Sequence, residues 1–117
     1  MKTILIIDDN LAFTSRVQKD KTFEEIRIIL AGSFYSAKII LEKQWNNLDL
    51  ICVDACIENN EEPDSEYLIE EIIKRGFKGA IIACSGNDAF NDILIKAGAT
   101  HKTTKTNLID TLLRLSK

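Results

Sequence analysis

Five side chains of this 117-residue chain, Asp8, Asp9, Asp54, Ser85 and Lys105, are of types that could act together on a phosphoryl group. Each carboxylate stands where a short apolar run ends: Ile4-Leu5-Ile6-Ile7 stops at Asp8-Asp9-Asn10, and Leu48-Asp49-Leu50-Ile51-Cys52-Val53 stops at Asp54. Carboxylates brought close repel one another and raise one another's pKa unless a cation offsets them. A hard divalent ion suits them, and Mg²⁺ in particular binds through one or two carboxylates and takes phosphate oxygens as further ligands; Mn²⁺ is a second candidate. Ser85, after Gly79-Ala80-Ile81-Ile82-Ala83-Cys84, could donate its hydroxyl to a phosphoryl oxygen, and Lys105 could offer a point charge. Singly these are ordinary, since Ser85 could simply start a helix and Lys105 is one of fifteen basic residues. Together they are the parts needed for phosphoryl transfer onto an aspartate.

The elements that must position them alternate. Apolar runs too short for helices predict strands over 3–8, 26–31, 48–54 and 79–84, and the polar stretch 100–104 would be a fifth strand. Between and after them, apolar spacings of three and four predict helices over about 10–21, 34–45, 65–75, 88–97 and 107–116. Asn10 and Ser33 are placed to cap, and Gly76 and Gly98 to stop, these helices. The residues at these spacings are Leu11, Phe13, Val17 and Phe23; Ala37, Ile40, Leu41 and Trp45; the apolar positions Tyr67, Leu68, Ile69, Ile72 and Ile73; and Leu108, Leu112 and Leu115, the last three read as inward. Five βα units predict an α/β, doubly wound, flavodoxin-like (βα)5 fold with a five-stranded parallel sheet, the favoured order being 2-1-3-4-5. Its switch point lies between strands one and three, which sets Asp8, Asp9 and Asp54 on neighbouring strand ends about 4.8 Å apart.

Length and composition bound the rest. The chain is expected to form one domain over 1–117, without room for a separate output domain. A net charge of -3 with interspersed signs gives no basic stripe, so direct nucleic-acid binding is not expected. No apolar run approaches a membrane span and no signal-peptide pattern is seen, so a cytoplasmic protein without membrane contact is expected. Cys52, Cys56 and Cys84 are odd in number and lack C-x-x-C spacing, which suits reduced thiols. His101 stands in a polar edge strand and reads as a surface group.

With these residues in view, the chain resembles the receiver domain of two-component response regulators over essentially its whole length. The resemblance rests on Ile4 to Asn10, Leu48 to Asp54, Ile81 to Gly86, and Ala97-Gly98-Ala99 with Lys105. It implies that Asp54 is the phosphoacceptor, and that Asp8, Asp9, Asp54 and the Cys56 backbone carbonyl hold Mg²⁺. It also implies that Ser85 and Lys105 bind the phosphoryl oxygens, and that Cys56 and Asn87 occupy variable positions that tune phosphorylation and dephosphorylation. The implied role is phosphorelay signalling, not enzymatic turnover of an outside substrate. The implied partners are a histidine kinase or phosphotransfer protein and a downstream protein target, with the chain a monomer or weak dimer. The output surface would run from strand four to helix five.

The chain departs from that pattern at three places. Lys102 stands where the family usually has an aromatic ring that turns inward, a move a lysine makes only at high cost. Thr106 follows Lys105 where a proline after a cis bond is common, which allows a trans bond and a shifted lysine. The loop after Asp54, Glu58-Asn59-Asn60-Glu61-Glu62-Pro63-Asp64-Ser65, is longer and more acidic than usual, and is expected to be mobile and to select the partner. Rival chemistries fit less well. An FMN cradle would meet repulsion from Asp8 and Asp9, and an aspartate-nucleophile phosphohydrolase would want an acid at Cys56. The alternative that keeps the fold is a pseudo-receiver, a protein-binding module that works without phosphorylation.

Overall fold

A computed structural model describes residues 2–20 and 25–117. The elements run β1 (Lys2–Ile7), α1 (Leu11–Lys19), β2 (Ile26–Ala31), α2 (Phe34–Gln44) with a single 3₁₀ turn (Trp45–Asn47), and β3 (Leu50–Val53). They continue α3 (Glu66–Lys74), β4 (Ala80–Cys84), α4 (Asp88–Ala97), β5 (His101–Thr103) and α5 (Leu108–Leu115). The sheet has the expected order β2-β1-β3-β4-β5, and every neighbouring pair is parallel.

Alternation along each strand divides the core in two. Leu5, Ile7, Ile51, Val53, Ile81 and Ala83 face α2, α3 and α4, where Leu41, Leu68, Ile69, Ile72 and Leu94 cover them. Ile4, Ile6, Cys52, Ile82 and Cys84 face the opposite side, under Phe13 and Val17 of α1 and Leu108 and Leu112 of α5. Burying each of the Val, Leu, Ile and Phe side chains contributes about 1.5–3 kcal/mol, and the strands are continuous apolar runs because both of their faces are covered.

The caps form as read. The Asn10 side chain accepts the Phe13 N–H, and Ser33 and Ser36 make a reciprocal capping box at the start of α2. Gly98 closes α4 with φ of 126°, a left-handed conformation that favours glycine, and a Cβ there would overlap Ile73. Not every apolar residue at helical spacing is buried: Leu11 is 61% exposed, and Tyr67 and Ile73 are each 42% exposed. Each flanks a truly buried stripe, Phe13 and Val17 in α1, and Leu68, Ile69 and Ile72 in α3. The helices bury a narrower arc than their apolar residues span. Phe23 and the predicted end of the first helix lie outside the described residues.

The loop between β3 and α3 is more closely tied than a mobile loop would be. The carboxylate of Asp64 accepts the backbone N–H groups of Ile57, Glu58 and Asn59 at 2.7, 2.8 and 2.8 Å. Glu58 in turn accepts the Phe34 N–H at the start of α2 at 2.9 Å, and Asn59 accepts from Glu61 and Glu62. An acidic loop that the sequence suggests is mobile therefore supplies acceptors for its own backbone.

Candidate functional site

The site is built by the parallel register of β1 and β3. Ile7 pairs with Val53, and the chain stays in step one residue further, where the Asp54 N–H donates to the Ile7 carbonyl at 2.9 Å and the Asp8 N–H to the Ala31 carbonyl at 3.0 Å. Asp8 and Asp54 are therefore held by the sheet while standing past its end, and they are 2% and 8% exposed. Asp9, one residue further from β1, is exposed. One carboxylate oxygen from each of Asp8, Asp9 and Asp54 can be chosen so that all lie within 4.8 Å of one another.

Lys105 reaches into this cluster from the loop between β5 and α5. Its Nζ is 3.0 Å from Asp8 Oδ2 and 3.5 Å from Asp54 Oδ2, and it lies 5.1 Å from the centre of the Phe13 ring. The Lys105–Thr106 bond is trans, yet the lysine is not displaced from the carboxylates. Burial works against its charge, but the hydrogen bond to Asp8 and the charges of Asp54 and Asp8 outweigh it and hold the ammonium above the ordinary lysine value.

Three carboxylates against one ammonium leave two negative charges in excess. Asp54 registers the imbalance. Burial first, and then the charge of Asp8, push its carboxyl up to about 6, with Lys105 pulling the other way. The donor set and the residual charge fit a hard divalent cation, whose octahedral oxygens at about 2.1 Å require carboxylates this close together.

Ser85 ends β4 beside this edge and is 6% exposed. Its hydroxyl accepts the Asn87 N–H at 3.2 Å, while Asn87 also caps α4 by accepting from Ala89 and Phe90. Cys56 sits half-buried two residues past Asp54. Burial, and the charges of Asp54, Asp64 and Asp9, raise its thiol above the usual value, so it stays protonated. Cys52 and Cys84 are buried beneath the site, where the hydrogen bond of the Cys52 thiol to Cys84 and then desolvation push the Cys52 thiol well up. All three cysteines are free. His101 is half-buried, with Nδ1 2.8 Å from Thr100 Oγ1.

Two supporting residues escape a reading by sequence. Ser65 is fully buried and donates its hydroxyl to the carbonyls of Asp54 and Ala55 at 2.8 and 3.1 Å, fixing the backbone directly behind the carboxylate. Asn91, 1% exposed on α4, bonds to both backbone groups of Ser85. A polar residue at the apolar spacing of Asn91, Leu94 and Gly98 was the available signal for the second. Ser65 had none, because a serine before a helix reads as a cap.

No protein-family model and no curated protein matches the sequence. Solved structures do. A signal receiver domain of a DNA-binding response regulator from Colwellia psychrerythraea aligns with a TM-score of 0.81 at 21% identity, over 99% of this chain and 98% of that one. The chain has the receiver-domain fold. A CheY-like receiver domain from Methanospirillum hungatei matches at a TM-score of 0.76 and 18% identity, over 97% of this chain and 92% of that one. A response regulator from Burkholderia pseudomallei, solved with a phosphorylated aspartic acid, a calcium ion and citrate, matches at 0.77 and 20%, over 100% of this chain and 67% of its own length. The receiver fold sets its loops at the carboxyl ends of the strands, which is where Asp8, Asp9, Asp54, Ser85 and Lys105 stand here. Among the described residues no helix is long and apolar enough to cross a membrane.

Proposed function

We propose that the protein is a phosphoryl acceptor of two-component or phosphorelay signalling, with Asp54 as the acceptor. The observation that carries this reading is Lys105 spanning Asp8 and Asp54 at 3.0 and 3.5 Å inside a carboxylate cluster that still holds excess negative charge. An Asp54 oxygen attacks phosphorus. The bond from phosphorus to the donor's nitrogen or oxygen breaks, its electron pair leaves with the donor group, and a solvent proton neutralises that group. Mg²⁺, or Mn²⁺, held by Asp8, Asp9, Asp54 and the Cys56 carbonyl, would offset charge on the phosphoryl oxygens.

The chain's own residues do the rest. Ser65 and the Ile7 carbonyl fix the Asp54 backbone, Lys105 neutralises an oxygen of the incoming group, and Ser85 donates its hydroxyl to another. Water later cleaves the acyl phosphate to carboxylate and inorganic phosphate, so the only turnover is of the protein's own modification. The donors are a histidine kinase or phosphotransfer protein in the cytoplasm, and phosphorylation alters affinity for a downstream protein.

Intact mass after incubation with acetyl phosphate tests this. Wild type gains one phosphoryl group only when Mg²⁺ is present, and Asp54→Asn gains none while keeping its fold. Equal phosphorylation of the variant overturns the assignment of Asp54. No gain in wild type, with beryllofluoride also failing to bind, points to the pseudo-receiver.

A further inference from the structure

Ser85 is held at the end of β4 by Asn91. The Asn91 Oδ1 accepts the Ser85 N–H at 2.9 Å, and Nδ2 donates to the Ser85 carbonyl at 3.2 Å and to the Thr103 carbonyl at 3.1 Å. One carboxamide thus takes both backbone groups of Ser85 and extends a third bond to the last residue of β5. The partners set the orientation of the amide, because exchanging its oxygen and nitrogen would face an NH₂ against an N–H. Beyond Thr103 the bonds continue: its Oγ1 lies 2.9 Å from Thr111 Oγ1 on α5, which bonds the Asn107 carbonyl at 2.9 Å.

Little else anchors β5 through side chains. His101 and Thr103 are half-buried, Lys102 is exposed, and none of the three belongs to the apolar core. The ammonium of Lys102 turns outward to Asp88 and Asp92 on α4, at 3.1 and 2.8 Å. α4 therefore holds β5 from outside through Lys102 and from inside through Asn91. Packing alone would be served by an apolar residue at position 91. Burying an amide there costs free energy that only its hydrogen bonds recover.

The hydroxyl of Ser85 is engaged as an acceptor, by Asn87, and it is its hydrogen that a phosphoryl oxygen would take. With N–H and C=O both fixed, Ser85 cannot shift toward a phosphoryl group without carrying the carboxamide with it, and with the carboxamide Thr103.

We propose that Asn91 is a positioning residue: it fixes the Ser85 backbone for its contact with the phosphoryl group and passes any displacement of Ser85 to β5 and α5. The inference rests on Asp54 being the phosphoacceptor. Amide NMR of the ¹⁵N-labelled protein with Mg²⁺ and beryllofluoride tests it. In wild type the Asn91 side-chain amide and the Thr103 backbone amide shift together with those of Asp54 and Ser85. In Asn91→Leu, which fills the same space without the hydrogen bonds, the gain of phosphoryl mass from acetyl phosphate slows about tenfold, in line with the cost of a misplaced catalytic contact. Mg²⁺ affinity is unchanged in that variant and the Thr103 shift is lost. Wild-type rate in Asn91→Leu means a space-filling role and overturns the proposal. Should that variant not fold, the wild-type spectrum decides: beryllofluoride binding without movement of Asn91 and Thr103 overturns this inference alone. Absence of both beryllofluoride binding and phosphorylation in wild type overturns it together with the function on which it rests.

Discussion

At the residue scale the site is an imbalance of charge held in place by the sheet. Asp54 has a folded-state pKa of about 6 against an ordinary value of 3.8, so the folded protein holds that proton more tightly than the unfolded chain does. The stability this group contributes is greatest below about pH 4 and is lost as pH rises through 6. In metal-free protein at pH 7, Asp54→Asn should therefore raise stability by on the order of 2 kcal/mol, and at pH 4 it should change little. Urea unfolding at the two pH values measures this, and an equal effect at both would show that ionisation is not the cause. Asp8, Asp9, Asp54 and Ser85 were legible in the sequence because each stands where an apolar run ends. Asn91 and Ser65 were not, because their roles lie in hydrogen bonds to distant backbone. Nor could the reach of Lys105 be read past Thr106; only the course of the loop from β5 into α5 brings Nζ to Asp8.

At the element scale, strands and helices followed from runs and spacings, whereas the exact arc that each helix buries did not. Leu11, Tyr67 and Ile73 are apolar at helical spacing yet exposed, because burial depends on where the sheet and neighbouring helices sit. The loop after β3 was the larger surprise, and Asp64 is the reason. Its carboxylate serves three backbone donors, two of them in exposed bonds. Asp64→Ala is expected to cost about 1 kcal/mol, near the net worth of a few solvent-competed bonds. Amide exchange at Ile57, Glu58 and Asn59 should quicken selectively. A uniform change over the domain would mean that the carboxylate acts on global stability instead.

At the scale of the whole molecule, strand order decides which residues meet. The order β2-β1-β3-β4-β5 sets the ends of β1 and β3 side by side and puts β4 next to them, so residues from widely separated parts of the chain share one edge. A cation that binds this edge only in the folded protein stabilises the entire domain by mass action. Mg²⁺ at a hundred times its Kd should add about 2.7 kcal/mol to unfolding, read as a rise in Tm. Asp8→Asn should blunt that rise while itself relieving repulsion in the absence of the ion. A Tm indifferent to Mg²⁺ in wild type would argue against the metal site.

The polar character of β5 has a consequence for how the sheet ends. Its rim strand carries His101, Lys102 and Thr103 where an apolar strand would invite a second chain to add on, and an outward lysine is the usual guard against such stacking. That protection leaves the strand without core contacts of its own. It should be among the first segments of the sheet to open, exchanging its amide hydrogens with deuterated water well before β1 and β3, whose side chains are sealed on both faces.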